Sequence, residues 1–172
     1  MPRAPLPSGI EREYDTFGDR DDPALLLVMG FTAQMIAWQD DFCRLLADGG
    51  RYVIRFDNRD CGLSTKLDGV DIDQGAVMAA AMMGRPVPEV PYTLADMGDD
   101  AIGLLDHLGI GRAHIVGASM GGMIVQTMAI DHPDRLISVT SIMSTIGDMA
   151  YGQPAPEAIA VLLTPPPADR AQ

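Results

Sequence analysis

Six consecutive apolar residues, Ala24-Leu25-Leu26-Leu27-Val28-Met29, are followed at once by Gly30. A run this short cannot cross a membrane, which takes roughly 20 residues. It also lacks the alternation of a strand with one wet face. It suits a strand buried on both faces, the situation of a central strand in a parallel sheet covered by helices. Such a strand needs further strands beside it and helices above and below, and the rest of the chain supplies them.

Downstream, Ile36, Trp38, Phe42, Leu45 and Leu46 recur at helical spacing and Gly49-Gly50 follows, so a helix is expected over Ile36–Leu46. Arg51–Phe56 is β-rich and ends in Asp57, and strand, helix, strand implies a right-handed crossover. Gly62–Val90 mixes Asp-rich and Ala/Met-rich pieces, where a helix over Gln74–Met83 competes with an irregular excursion. Thr93 caps a helix over Leu94–Leu108, closed by Gly109. Ala113–Val116 is the next strand, followed by a helix through Ile130, the helix-ending pair His132-Pro133 and a strand over Leu136–Met143. Upstream, the first 23 residues are polar and broken by Pro and Gly, with Ile10–Tyr14 alternating like a short exposed edge strand. The fold class is α/β, a mostly parallel sheet flanked by helices.

At 172 residues the chain fits one domain. Its 24 acidic residues against 12 Lys plus Arg give a formal charge of -12, which repels phosphate backbones and anionic lipid, so neither nucleic acid nor a membrane is an expected partner. Cys43 and Cys61 fit no metal-ligand spacing, and there is neither a dinucleotide fingerprint nor a Walker loop, so no metal and no cofactor is expected. Met1 to Gly9 has no signal-peptide character, and a reduced cytoplasmic protein is the expectation.

The chemistry concentrates at Gly117-x-Ser119-x-Gly121, where a strand ends and a helix begins. A Ser there must make a sharp turn to lift its Oγ clear of the sheet, and the flanking glycines remove the side chains that would clash. The helix start offers the Met120 amide to an oxyanion formed when Ser119 attacks a carbonyl. A second donor is expected from the loop after the central strand, at the Phe31 amide, with Gly30 permitting close approach. The bland reading is a small-residue turn, and the strand-turn-helix context argues against it.

In these residues the chain resembles the N-terminal part of α/β-hydrolase-fold serine hydrolases. Gly117-Ala118-Ser119-Met120-Gly121-Gly122 is similar to the family's nucleophile elbow, and His132-Pro133-Asp134-Arg135 to the segment that closes the following helix. Asp57-Asn58-Arg59-Asp60-Cys61-Gly62-Leu63-Ser64 matches the segment after the preceding strand, with Asp60 where most members have Gly. That variant, with Val28-Met29-Gly30 in place of the usual His-Gly, resembles the branch containing aclacinomycin methylesterase and related actinobacterial carboxylesterases.

The resemblance implies a serine hydrolase acting on a small-molecule carboxylic ester through an acyl-serine intermediate. Ser119 would be the nucleophile, and the Met120 and Phe31 amides the oxyanion donors. A serine at this place argues against epoxide hydrolases, which carry an aspartate there. Cofactor-free haloperoxidase chemistry and a non-catalytic binding or regulatory module are the alternatives. In family order the acid and the histidine follow the nucleophile, on strands for which this chain has no counterpart. The expectation is an incomplete core over 1–143, the start of a lid and a Pro-rich tail over 144–172, and weak or no activity alone. His107, His114 and His132 read as structural and none as the general base, while Asp148 is the acid candidate and Asp57 an anchor of its own loop. Met120, Met123, Met128 and Trp38 read as core, and Cys61 has no context that would activate it. The strand over Leu136–Met143 is expected to be an open edge, available to a second copy or to a complementing C-terminal segment.

Overall fold

The computed structural model describes residues 1–73, 76–77, 80, 83, 85–148, 150–152, 155, 157–158 and 161. Six strands, β1 (Arg3–Pro5), β2 (Glu11–Phe17), β3 (Ala24–Val28), β4 (Tyr52–Phe56), β5 (Ala113–Ala118) and β6 (Leu136–Ile142), form one sheet in the order β1-β2-β4-β3-β5-β6. β1, β2 and β4 pair antiparallel, and β4, β3, β5 and β6 run parallel. Every residue of β3 is buried, as its unbroken apolar run requires.

Helices α1 (Asp40–Asp48), α2 (Leu94–His107) and α3 (Met120–Asp131) cover the sheet. Leu26, Val28, Ile54 and Ile115 pack with Leu104, Leu105, Ile124 and Met128 of α2 and α3 on one face. Leu25, Leu27 and Val53 pack with Trp38 and Cys43 on the other. α2 opens on a full capping box, the Thr93 hydroxyl accepting from the Asp96 amide while the Asp96 carboxylate accepts from the Thr93 amide at 2.7 Å.

Two expectations are corrected. The N-terminal strand is not an edge, because β2 lies between β1 and β4. Two of its charges are buried, Arg12 being fully inaccessible and Glu13 2% exposed, while Glu11 is exposed. They are neutralised by distant partners, Arg12 by Asp100 and Glu13 by Arg3. The helix expected over Ile36–Leu46 is two pieces, a 3₁₀ turn at Met35–Ala37 and α1, with Trp38 between them. Asp40 and Asp41 favour a helix start at their position, where carboxylates meet unpaired amides. Of the apolar residues that set the spacing, Trp38 is buried while Ile36, Phe42 and Leu45 are exposed.

β1 has no counterpart among the expected elements, and the other expected helices and strands match their stated bounds to within two residues. The helix considered over 74–83 falls on a stretch several of whose residues lie outside those described. No helix of the described residues is long and apolar enough to cross a membrane. Among the described residues β6 pairs with β5 alone, and Ile137, Val139 and Ile142 on it are 40–47% exposed.

Candidate active site

The C-terminal ends of the parallel strands converge, as ligand-binding ends of such sheets do. β5 delivers Ser119, an exposed residue at φ 57°, ψ -124° between the strand and α3. A non-glycine residue held there stores roughly 1–3 kcal/mol of strain. The glycines around it are required by contact. A Cβ at Gly117 would stand 2.7 Å from the Gly122 nitrogen, and one at Gly121 would stand 2.8 Å from the Met29 carbonyl oxygen. One at Gly122 would meet the Ser144 Cβ at 2.5 Å. Strand, turn and helix are thus pressed together with no room for side chains, and the Ser119 side chain is turned outward.

The turn after β3 lies against this elbow. A Cβ at Gly30 would come within 2.9 Å of the Ser119 Cβ and 3.2 Å of the Met120 nitrogen. Phe31, next in the chain, is 57% exposed. The sequence-singled residues Ser119, Met120, Gly117, Gly121, Gly30 and Phe31 therefore come together in space. A cavity of about 590 Å³ opens beside them, walled by Gly30, Phe31 and Met120 on one side and by Asn58, Tyr92 and Met97 on the other. A second, of about 540 Å³, shares Phe31, Asp60 and Tyr92 with it. Burial, with Asp60 beside the ring, pushes the Tyr92 hydroxyl up to about 12, so it stays neutral and able to donate.

The segment after β4 underpins the site. The Asp57 carboxylate accepts the amides of Met35 at 2.7 Å and Leu63 at 2.9 Å, the anchoring role expected of it. Asp60 has φ 63°, accepts the Leu67 amide at 2.7 Å and donates its own amide to Thr65. A left-handed position explains why glycine suits this place and why Asp, which tolerates that conformation, replaces it. Arg59 runs under the cavity to Asp100 at 2.7 Å and lies 5.0 Å from the Tyr92 ring. Asp100 also takes Arg12, so one buried carboxylate serves two buried guanidinium groups. Sequence reasoning missed Asn58 and the Arg12–Asp100–Arg59 cluster. Asn58 and Arg59 stood inside a recognised motif, but their partners lie far away in the chain.

The histidines are engaged elsewhere. His132 Nε2 lies 2.7 Å from Asp99, His114 Nδ1 lies 2.8 Å from the Ser138 hydroxyl, and the His107 ring packs edge-on to Tyr14. His114 is five residues before Ser119 along β5, a separation of about 16 Å at strand rise. Asp148, six residues beyond β6, is exposed and its carboxylate accepts the Ala150 amide at 2.8 Å.

A family model described as the alpha/beta hydrolase fold matches residues 23–163. The chain belongs to the α/β-hydrolase fold family. Within that family it is 32% identical over 134 residues, 78% of its length, to rhodomycin D methylesterase DauP of Streptomyces sp. (strain C5). It is 31% identical over 141 residues, 81% of its length, to 3-oxoadipate enol-lactonase 2 of Acinetobacter baylyi. It spans 39% and 44% of the lengths of these two relatives. Among solved structures, a hydrolase from Pseudomonas aeruginosa PA01 superposes with a TM-score of 0.66 at 27% identity, over 95% of this chain and 53% of that one. The enol-lactonase from Burkholderia xenovorans LB400 gives 0.65 at 27% identity, over 83% and 46%. The methylesterase resemblance read from the motifs agrees with these relatives.

Proposed function

We propose that this chain carries the nucleophile and oxyanion donors of a serine hydrolase that cleaves carboxylic esters, of the methylesterase kind. The observation that carries the reading is Ser119 itself, an exposed L-residue held at φ 57° against the Gly30 turn. Relatives named as a methylesterase and an enol-lactonase both break an acyl carbon–oxygen bond. Ser119 Oγ bonds to the acyl carbon, the carbonyl electron pair moves to oxygen, and the Met120 and Phe31 amides hold that charge. Collapse releases the alcohol, and water later cleaves the acyl-serine.

The Ser119 proton needs a base, and His114 and His132 bond Ser138 and Asp99 while His107 packs edge-on to Tyr14. We place the base on the part of the fold that the relatives have and this chain does not span. Asp148 is the acid candidate carried here, and residues 144 onward begin the lid. The open β6 edge is where a complementing segment or a second copy would add a strand. Alone, the chain is then weakly active or inactive.

The test is incubation with p-nitrophenyl butyrate and mass analysis of the protein. Butyrylation at Ser119, absent in Ser119→Ala, is expected. Equal butyrylation of both proteins overturns the nucleophile assignment, and turnover at an enzyme-like rate overturns the placement of the base. A second reading, a binding module without turnover, draws on the absence of a histidine at Ser119 among the described residues and on the 590 Å³ cavity. It requires saturable binding of an ester that survives Ser119→Ala.

A further inference from the structure

Three residues just after β4 hold the loop that follows β3. Asn58 Nδ2 donates to the Met29 carbonyl at 2.8 Å, Cys61 Sγ donates to the Ala33 carbonyl at 3.2 Å, and Asp57 accepts from the Met35 amide at 2.7 Å. The loop is pinned at its beginning, middle and end. Only the first bond acts on the peptide beside the elbow. The Met29 carbonyl also lies against Gly121, where a Cβ would be 2.8 Å away, so it is trapped between Asn58 and the first turn of α3. Because the peptide is planar, fixing that carbonyl fixes the Gly30 N–H and the direction in which the chain carries the Phe31 amide.

Asn58 is 3% exposed, and its Oδ1 is buried with no partner among the described residues. The contact with a carbonyl requires the nitrogen on the Met29 side, so the orphan is the oxygen. A leucine has similar volume and would leave no unpaired acceptor. What the amide alone supplies here is a donor to Met29. We propose that Asn58 is a positioning residue for the oxyanion loop, holding the Met29–Gly30 peptide so that the Phe31 amide faces the substrate carbonyl. The chemical part rests on the esterase reading, and the geometric part does not.

The test compares the full chain with Asn58→Leu and, should that variant fold poorly, Asn58→Ser, whose shorter hydroxyl cannot reach Met29. Amide hydrogen exchange at residues 30–32 should quicken about tenfold or more while β3 and β5 amides and the unfolding midpoint stay near wild type. Ser119-dependent hydrolysis of p-nitrophenyl butyrate should lose about 10- to 100-fold in kcat with KM within about twofold, as expected for a misplaced oxyanion donor. Unchanged exchange at 30–32 overturns the proposal. So does a rise spread across the whole sheet, which marks a purely structural role. If Ser119 is not butyrylated in the wild-type chain the esterase reading loses its support, and the exchange comparison still decides what Asn58 holds.

Discussion

The Gly30 backbone rests on Ser119 so closely that a methyl group on the first would stand 2.9 Å from the Cβ of the second. The neighbouring ends of β3 and β5 are therefore one mechanical unit, and a perturbation of either is felt at both. Gly30→Ala should destabilise the chain by about 1–3 kcal/mol through overpacking. It should also reduce Ser119 acylation by more than that loss explains, because the Phe31 amide is pushed away. Denaturant titration and acylation rates on the same samples check this.

The strain at Ser119 gives a second, activity-independent expectation. Ser119→Gly relieves the left-handed backbone and Ser119→Ala does not, although both remove the hydroxyl. The glycine variant should be more stable than the alanine variant by roughly 1 kcal/mol. Urea unfolding of the pair measures it, and equal stabilities would mean the turn is relaxed.

Asp100 is the single carboxylate between Arg12 and Arg59 among the described residues, with its other oxygen accepting the Ser8 hydroxyl at 3.0 Å. Asp100→Asn leaves two buried guanidinium groups without a counter-charge and should cost about 3–5 kcal/mol. Chemical denaturation reads the loss, and a change within about 0.5 kcal/mol would show that water reaches the cluster.

The α2 cap provides a pH test. The Thr93 hydroxyl and amide hold the Asp96 carboxyl below its ordinary value. A depressed carboxyl stabilises the fold above its unfolded value, near pH 4, and that contribution is lost as pH falls through the folded value. Thr93→Ala should therefore cost about 1 kcal/mol at pH 7. The gap from wild type should narrow below about pH 4, as thermal or urea midpoints across pH 3–7 would show.

β6 offers the last expectation. The strand is uncharged, pairs on one side only among the described residues and exposes Ile137, Val139 and Ile142. The chain should self-associate with rising concentration, and Val139→Lys, a charge on an open edge, should shift it toward monomer. Sedimentation velocity at several concentrations decides it.

Legibility from sequence followed the range of the interactions involved. β3, the α2 cap and the elbow are set by local rules, a short apolar run, a Thr three residues before an Asp, and glycines at fixed offsets from Ser119, and all three are where the sequence puts them. The failures share one cause. The buried charges of β2 are balanced by Arg3 and by Asp100, and Asn58 serves a carbonyl in another loop. None of these pairings leaves a mark within a window of neighbouring residues. The break at Trp38 belongs with them, since Arg55 of β4 reaches across to its carbonyl and to Asp40 at 2.6 Å.

The strand order has a consequence in time as well as in space. Phe31 follows β3 and Met120 follows β5, and these strands are side by side in the sheet although all of β4 and α2 is threaded between them in the chain. A polypeptide emerging from its amino end has β3 long before β5 exists. Until then one flank of β3 is bare and the turn at Gly30 has nothing to rest on. Contacts this distant close slowly. The half of the proposed anion cradle made first thus waits on the half made last, and Ser119, the proposed nucleophile, arrives on the same segment that completes it.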